Sequence, residues 1–407
     1  MKKILLISNL CLIVFFAQAQ QNNGNAFTSF VSACSKSIKE ATAAKDYAKG
    51  LAIINEVLAR YNELSPELKK EYQSYVPNIY YYLARFTALE GQKEKAIAYF
   101  GQAVDAGYSN YAHAVKDSDL DRLRKDKRFR DALQRLREKG DYGNILKISG
   151  AYNVAQNVGL PTFSYQEASA PELVAFKNQF NLDSISGNGD EISKFKNLLY
   201  WAHNVVRHDG SSDNPKSRNA IDLIAVCKKE NRGVNCRMMA TILKDAYQAM
   251  GFKSRMVTCM PKDTADFDCH VINVVWSRSL NKWLWMDPTF NAYVSDNKGN
   301  LLSIEEVRAR LINGSPLVLN DGANWNNQEK KTKENYLDYY MSKNLYWLKC
   351  AVKSTWDLET RKGEKQFIEY VNLYPGKYST IQQQTKKISG DNISYATNNP
   401  NYFWQKP

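Results

Sequence analysis

Three residues in one stretch of the chain could act together on a carbonyl group: Cys236, His270 and Asp287. A deprotonated cysteine is a nucleophile, an imidazole can take and return its proton, and a carboxylate can fix the imidazole's tautomer. Cys236 opens a run in which Met239, Ala240, Leu243, Ala246, Tyr247 and Met250 recur at helical spacing. Asn235 is a good N-cap, so the spacing predicts Cys236 at the first helical position. There the helix dipole and unpaired N–H groups favour a thiolate, and the same N–H groups can hold an oxyanion. His270 lies on the strand-like run Cys269–Trp276, and Asp287 ends the run Lys282–Asp287 just before Pro288. A hairpin centred between Arg278 and Ser279 would pair Trp276 with Asn281, Val274 with Trp283, Ile272 with Trp285 and His270 with Asp287. Directly paired residues share a face, with Cβ atoms about 4.5–5.5 Å apart.

Each residue alone has an ordinary explanation: a small buried thiol on a core helix, a half-buried strand histidine, a turn aspartate before proline. Their joint order and hairpin spacing point to catalysis. Cys259 is a rival thiol. A loop centred at Thr264–Ala265 puts it opposite His270, but a mid-strand thiol lacks the helix N-terminus that Cys236 has.

The elements that must position these groups are a helix from Cys236 to a stop at Gly251, a strand over Phe252–Met260, and the two runs of the hairpin. A further helix is expected over Asp190–His208 and a short one over Asn219–Lys229. The stretch resembles the core of the transglutaminase-like superfamily, whose fold is related to that of papain-like cysteine proteases. Gly233-Val234-Asn235-Cys236, Gly251-Phe252, Arg255, His270 and Trp285-Met286-Asp287-Pro288-Thr289 carry the resemblance, in that order. The segment Tyr200–His208 is similar to the family's Trp-x-x-x-Asn-Val-x-Tyr element, with Asn204 one position early and His208 where an aromatic is usual. The resemblance implies Cys236 as nucleophile, His270 as general base and then acid, and Asp287 as its orienter. A second oxyanion donor often comes from upstream in the family. Trp201 is the candidate, although its place inside a helix favours a core aromatic.

The remainder of the chain frames this core. Its 407 residues exceed one ordinary core, and 44% apolar with 24% charged residues is a globular composition. Lys2, Lys3, the apolar run Ile4–Phe16 and Ala17-Gln18-Ala19 predict a signal peptide over 1–19, hence an exported protein, periplasmic or extracellular. No later run is long enough to span a bilayer. The net charge of +13 raises nucleic-acid binding, but the basic residues alternate with acids and the export signal argues against it. Seven cysteines are too few for a disulfide scaffold, and His113, His203, His208 and His270 have no metal-ligand spacing with cysteine, so neither metal nor cofactor is expected.

From Phe27 to about Lys139 the helical signal dominates, and Ile79–Gly107 resembles one tetratricopeptide repeat through Leu83-Ala84, Ala96, Phe100 and Ala103, with Tyr108 in place of the closing proline. Such a region serves equally as a docking surface for a protein partner or as a helical cap. The expected architecture is multidomain: signal peptide 1–19, all-α helical-repeat-like domain 20–142, α+β transglutaminase-like (papain-like) domain with an antiparallel sheet over 143–320, and a C-terminal extension over 321–407. In the last part Asp321–Asn335 reads as loop, and the aromatics Tyr336, Tyr339, Tyr340, Tyr346 and Trp347 read as core packing ahead of groove lining. The expected function is an exported thiol enzyme that hydrolyses or transfers the acyl group of an amide in a peptide or protein substrate. The alternative is an inactive peptide- or glycan-binding protein on the same scaffold.

Overall fold

The structure is a computed structural model that describes residues 26–153, 159–266, 268–360, 367–377, 386–389 and 392–407. The expected signal peptide lies outside the described residues. The chain divides into two compact units, 1–141 and 142–407.

The first unit is helical. Helix α1 (Val76–Leu89) and helix α2 (Lys93–Asp105) form a hairpin, followed by α3 (Lys127–Gly140). Ala84, Ala96 and Ala103 are fully buried where α1 and α2 meet, and Phe100 packs on Phe129 at 4.5 Å between ring centres. Small residues permit that close approach, and the aromatic fills the groove it leaves. The preceding helix Tyr47–Glu63 comes close through Gly50, whose missing Cβ would sit 2.4 Å from the Phe86 ring.

The second unit is built on one sheet with helices against it. Helix α4 (Glu191–Val205), α5 (Ala220–Glu230) and α6 (Cys236–Ala249) precede strands β1 (Ser254–Met260), β2 (His270–Ser277) and β3 (Lys282–Met286). Four more strands come from beyond residue 340: β4 (Trp347–Ala351), β5 (Ile368–Leu373), β6 (Lys386–Ser389) and β7 (Asn392–Thr397). The strand order is β6-β7-β5-β4-β1-β2-β3. The sheet is mixed: every neighbouring pair is antiparallel except β5 with β7. Helix α6 lies against β1 and β2, and its Met239, Ile242, Leu243 and Ala246 are buried with Val275, Leu284 and Met286 of the sheet. On the other face Val257, Cys259, Ile272, Val274 and Trp285 join Tyr336, Leu337, Leu348 and Cys350 in a second apolar core. The alternation along each strand thus divides two buried faces. Among the described residues no helix is long and apolar enough to cross a membrane.

The β2–β3 register differs from the sequence expectation. Trp276 pairs with Trp283, Val274 with Trp285 and Asn273 with Met286, a slip of two residues. The turn is wider than expected: Ser277 pairs with Lys282, Asn281 takes a left-handed φ of 49°, and Glu191 of α4 accepts from the N–H groups of Arg278 and Ser279. A slip of two keeps every side chain on its face, whereas a slip of one would reverse them all. His270 and Asp287 therefore still share a face, as diagonal rather than direct neighbours. Asp287 pairs instead with Ala292 across a turn.

Candidate functional site

Cys236 stands at the first position of α6. Asn235 caps the helix by accepting from Met238 N–H at 3.2 Å. The residue is half-buried, with its sulfur beside Val271 at the start of β2. Burial alone would raise its pKa, but hydrogen bonds with His208 and His270, the charge on His270 and the Val271 N–H outweigh it and bring the thiol down to about 6. The rival Cys259 pairs with His270 in the β1–β2 register and is fully buried, and burial pushes its thiol far above the ordinary value. Cys269 is also a free thiol, and burial and the neighbouring Cys236 raise it.

His270 is almost completely enclosed and bonds through Nε2 to Asp287 Oδ2 at 2.7 Å. That bond occupies Nε2 and leaves Nδ1 for the sulfur. Burial would lower its pKa, but the Asp287 charge and hydrogen bond, together with Cys236, raise it to about 10. A thiol brought down and an imidazole brought up describe an ion pair stable across neutral pH. Phe290 and Tyr340 pack on the imidazole at 5.4 and 5.3 Å and fix the plane of the ring.

Asp287 is fully buried and accepts from His270, from Tyr336 O–H at 2.6 Å and, through Oδ1, from Thr289 N–H at 2.9 Å. Tyr336 in turn accepts from Trp285 Nε1 at 3.2 Å. Tyr336 and Tyr340 sit on a helix of wide, π-type turns, Glu334–Met341. Such turns bring residues four apart almost into line, so one tyrosine reaches the carboxylate and the other the imidazole. The site thus unites Cys236, His270 and Asp287.

Trp201 lies elsewhere. It packs on Phe176 and Phe180 within the helical core, and no oxyanion donor is to be sought there.

Two contributors were not read from sequence. Tyr336 carries no mark that separates it from a core aromatic. His208 departs visibly from the family pattern, but α4 ends at Val205 rather than continuing to His208. Val206 turns extended, and residues 207–209 run beside 233–234, with Val234 N–H to Arg207 O at 3.1 Å and Asp209 N–H to Val234 O at 2.8 Å. A Cβ on Gly233 would stand 2.6 Å from Arg207 O, so only glycine admits this approach. It brings His208 alongside Cys236. Arg255, part of the family-like pattern, lies apart from this cluster: its guanidinium is buried against Phe163 and Trp283 at 4.6 and 4.4 Å and donates to Phe403 O at 2.9 Å.

A thiol at a helix N-terminus beside a histidine and a buried carboxylate is a thiol-enzyme-like arrangement, and the fold that carries it is thiol-enzyme-like. Residues 178–288 match the model of the transglutaminase-like superfamily, so the chain carries a transglutaminase-like domain. No curated protein matches the chain. Among solved structures, the chain is similar to a putative cysteine protease from Cytophaga hutchinsonii, at 16% identity and a TM-score of 0.24. That similarity covers 36% of this chain and 46% of the other, so the chain spans under half of that protein's length.

Proposed function

We propose that this protein is a thiol enzyme that cleaves an amide bond of a peptide or protein, with Cys236 as nucleophile, His270 as acid–base group and Asp287 as its orienter. One observation carries the reading: His270 is held through Nε2 on a buried carboxylate at 2.7 Å while its other nitrogen is left for a cysteine at a helix N-terminus. The Cys236 thiolate attacks the substrate carbonyl carbon and the C=O electron pair moves to oxygen, toward the unpaired N–H groups at the start of α6. The oxyanion collapses, the C–N bond breaks, and the proton on His270 Nδ1 goes to the leaving amine. The acyl group is then a thioester on Cys236. His270, now neutral, takes a proton from water as it attacks the thioester; the acid leaves and the thiolate–imidazolium pair returns. We take water as the acceptor; an amine in its place would make the reaction a transfer. We also propose export, on the strength of residues 1–19.

The test is labelling of the full chain with an amide-directed electrophile such as a peptide chloromethyl ketone, followed by a peptide screen with and without added amine. Selective modification of Cys236, and turnover abolished in Cys236→Ala, are expected. Products lengthened by the amine would assign transfer. A Cys236 no more reactive than free cysteine, with peptides bound but uncut, would leave the binding-protein reading instead.

A further inference from the structure

A second histidine touches the nucleophile, and its chemistry differs from that of His270. The His208 side chain is within reach of the Cys236 sulfur. Its backbone runs beside Val234, two positions before the cysteine, and Asn326 clamps it from both sides: Oδ1 accepts from His208 N–H at 2.7 Å and Nδ2 donates to His208 O at 3.0 Å. Trp325 Nε1 donates to His208 Nδ1 at 3.1 Å.

This last contact decides the tautomer. An indole nitrogen can only donate, so Nδ1 of His208 must present a lone pair to it and cannot carry the proton. In the neutral ring the proton then sits on Nε2. His208 therefore has no nitrogen free to accept a proton from sulfur, which separates it from His270, whose Nε2 is on a carboxylate and whose Nδ1 can exchange a proton.

We propose that His208 is a catalytic hydrogen-bond donor, its Nε2–H fixed by Trp325 and aimed at the sulfur of Cys236. The proposal rests on Cys236 being the nucleophile. In the resting enzyme the N–H holds negative charge on sulfur without taking part in proton transfer. In the second half of the reaction the carbon–sulfur bond breaks and the electron pair returns to sulfur; the same N–H stabilises that leaving thiolate. His270 moves the proton and His208 holds the charge. The other titratable groups that face the sulfur are His270, Cys269, Cys259, Arg237 and Tyr340. None of these presents a donor whose proton is fixed by a partner that can only donate to it.

The experiment is the pH dependence of iodoacetamide alkylation at Cys236 in the full chain, for wild type, His208→Ala, His208→Gln, Trp325→Phe and His270→Ala. A hydrogen bond to a charged group corresponds to about one to two pH units. His208→Ala is expected to raise the alkylation midpoint by about that much. His208→Gln, which keeps an N–H donor, should restore part of it, and Trp325→Phe, which releases the tautomer, should raise it by less. An unmoved midpoint in His208→Ala and Trp325→Phe, with His270→Ala still moving it, overturns the proposal and leaves the nucleophile in place. A midpoint indifferent to His270→Ala as well overturns the nucleophile reading itself. Long-range nitrogen–proton correlation spectra of the wild-type imidazoles give a variant-free check, where an Nδ1–H tautomer at His208 overturns the proposal.

Discussion

Replacing His270 by alanine tests the ion pair at its centre. In the wild type the thiol lies near 6 and the imidazole near 10, so the thiolate forms as pH rises through about 6 and the imidazolium is lost as pH rises through about 10. The alanine variant removes the positive partner and its hydrogen bond while burial, the largest effect on the thiol and one that raises it, stays. The thiol should then rise toward its ordinary 9.0, short of it by whatever His208 and the Val271 N–H still hold. At the limit of 9.0 the thiolate fraction at pH 7 would fall from about 90% to about 1%, a loss of about 90-fold. Nucleophilicity per thiolate moves the other way: with a Brønsted slope of about 0.45, three units of basicity return about 20-fold. The net change in alkylation rate at pH 7 is therefore no more than about fourfold, and the sharp readout is the midpoint of the pH profile. Iodoacetamide alkylation followed by mass spectrometry from pH 5 to about 10 measures it. A midpoint rising from near 6 toward 9 is expected, with a faster plateau in the variant. A midpoint that stays near 6 would refute the ion-pair argument, because groups other than His270, such as His208 and the Val271 N–H, would then account for the thiolate.

Asp287→Asn keeps a hydrogen-bond acceptor beside Nε2 but removes the charge that raises His270; the high-pH limb of peptide-amide turnover, where His270 must protonate the leaving amine, should move down from about 10, and an unmoved limb would contradict the assignment. Tyr336→Phe takes one donor from the buried Asp287 carboxylate, which keeps its bonds to His270 and the Thr289 N–H, so urea unfolding should show a loss of about 1–3 kcal/mol and the thiol midpoint should rise modestly as the charge under His270 weakens. Gly233→Ala places a Cβ 2.6 Å from the Arg207 carbonyl and forces residues 207–209 away from the cysteine loop; about 1–3 kcal/mol of stability and most of the turnover should be lost, measured by the same unfolding and by ester hydrolysis.

How far the site could be read from sequence follows the range of each interaction. Cys236 at the head of α6 depends on its neighbour Asn235 and on a helical stripe, both local, and both are where the spacing put them. The mixed sheet is a harder matter. Its parallel pair joins β5 to β7, between which the chain runs through β6, and nothing in the local alternation distinguishes a parallel edge from an antiparallel one. The β2–β3 register was misread because a four-residue turn held by Glu191 from α4 replaces a tighter one, and Glu191 lies 87 positions from Arg278. The expectation that His270 meets Asp287 survives that error for a physical reason: strand periodicity is two, so a two-residue slip exchanges direct for diagonal neighbours without changing the face.

The groups that complete the site show the same limit more strongly. Trp325 reaches His208 across 117 positions, and Tyr336 reaches Asp287 across 49. Both lie beyond residue 288, where the transglutaminase-like match ends. The matched segment holds the thiol, the imidazole and the carboxylate, but the donors that fix the tautomer of one histidine and satisfy the carboxylate under the other come from outside it. Asp287 is fully buried, and a buried carboxylate left with fewer donors pays a desolvation cost that works against the charged form His270 depends on. The segment after residue 320 is therefore part of the electrostatics of the cysteine, since Tyr336 and Trp325 act on groups that touch or orient what touches its sulfur. The chemistry proposed for Cys236 is a property of the 142–407 unit as a whole, which explains why a motif confined to a quarter of the chain could name the reacting residues yet leave their protonation states open.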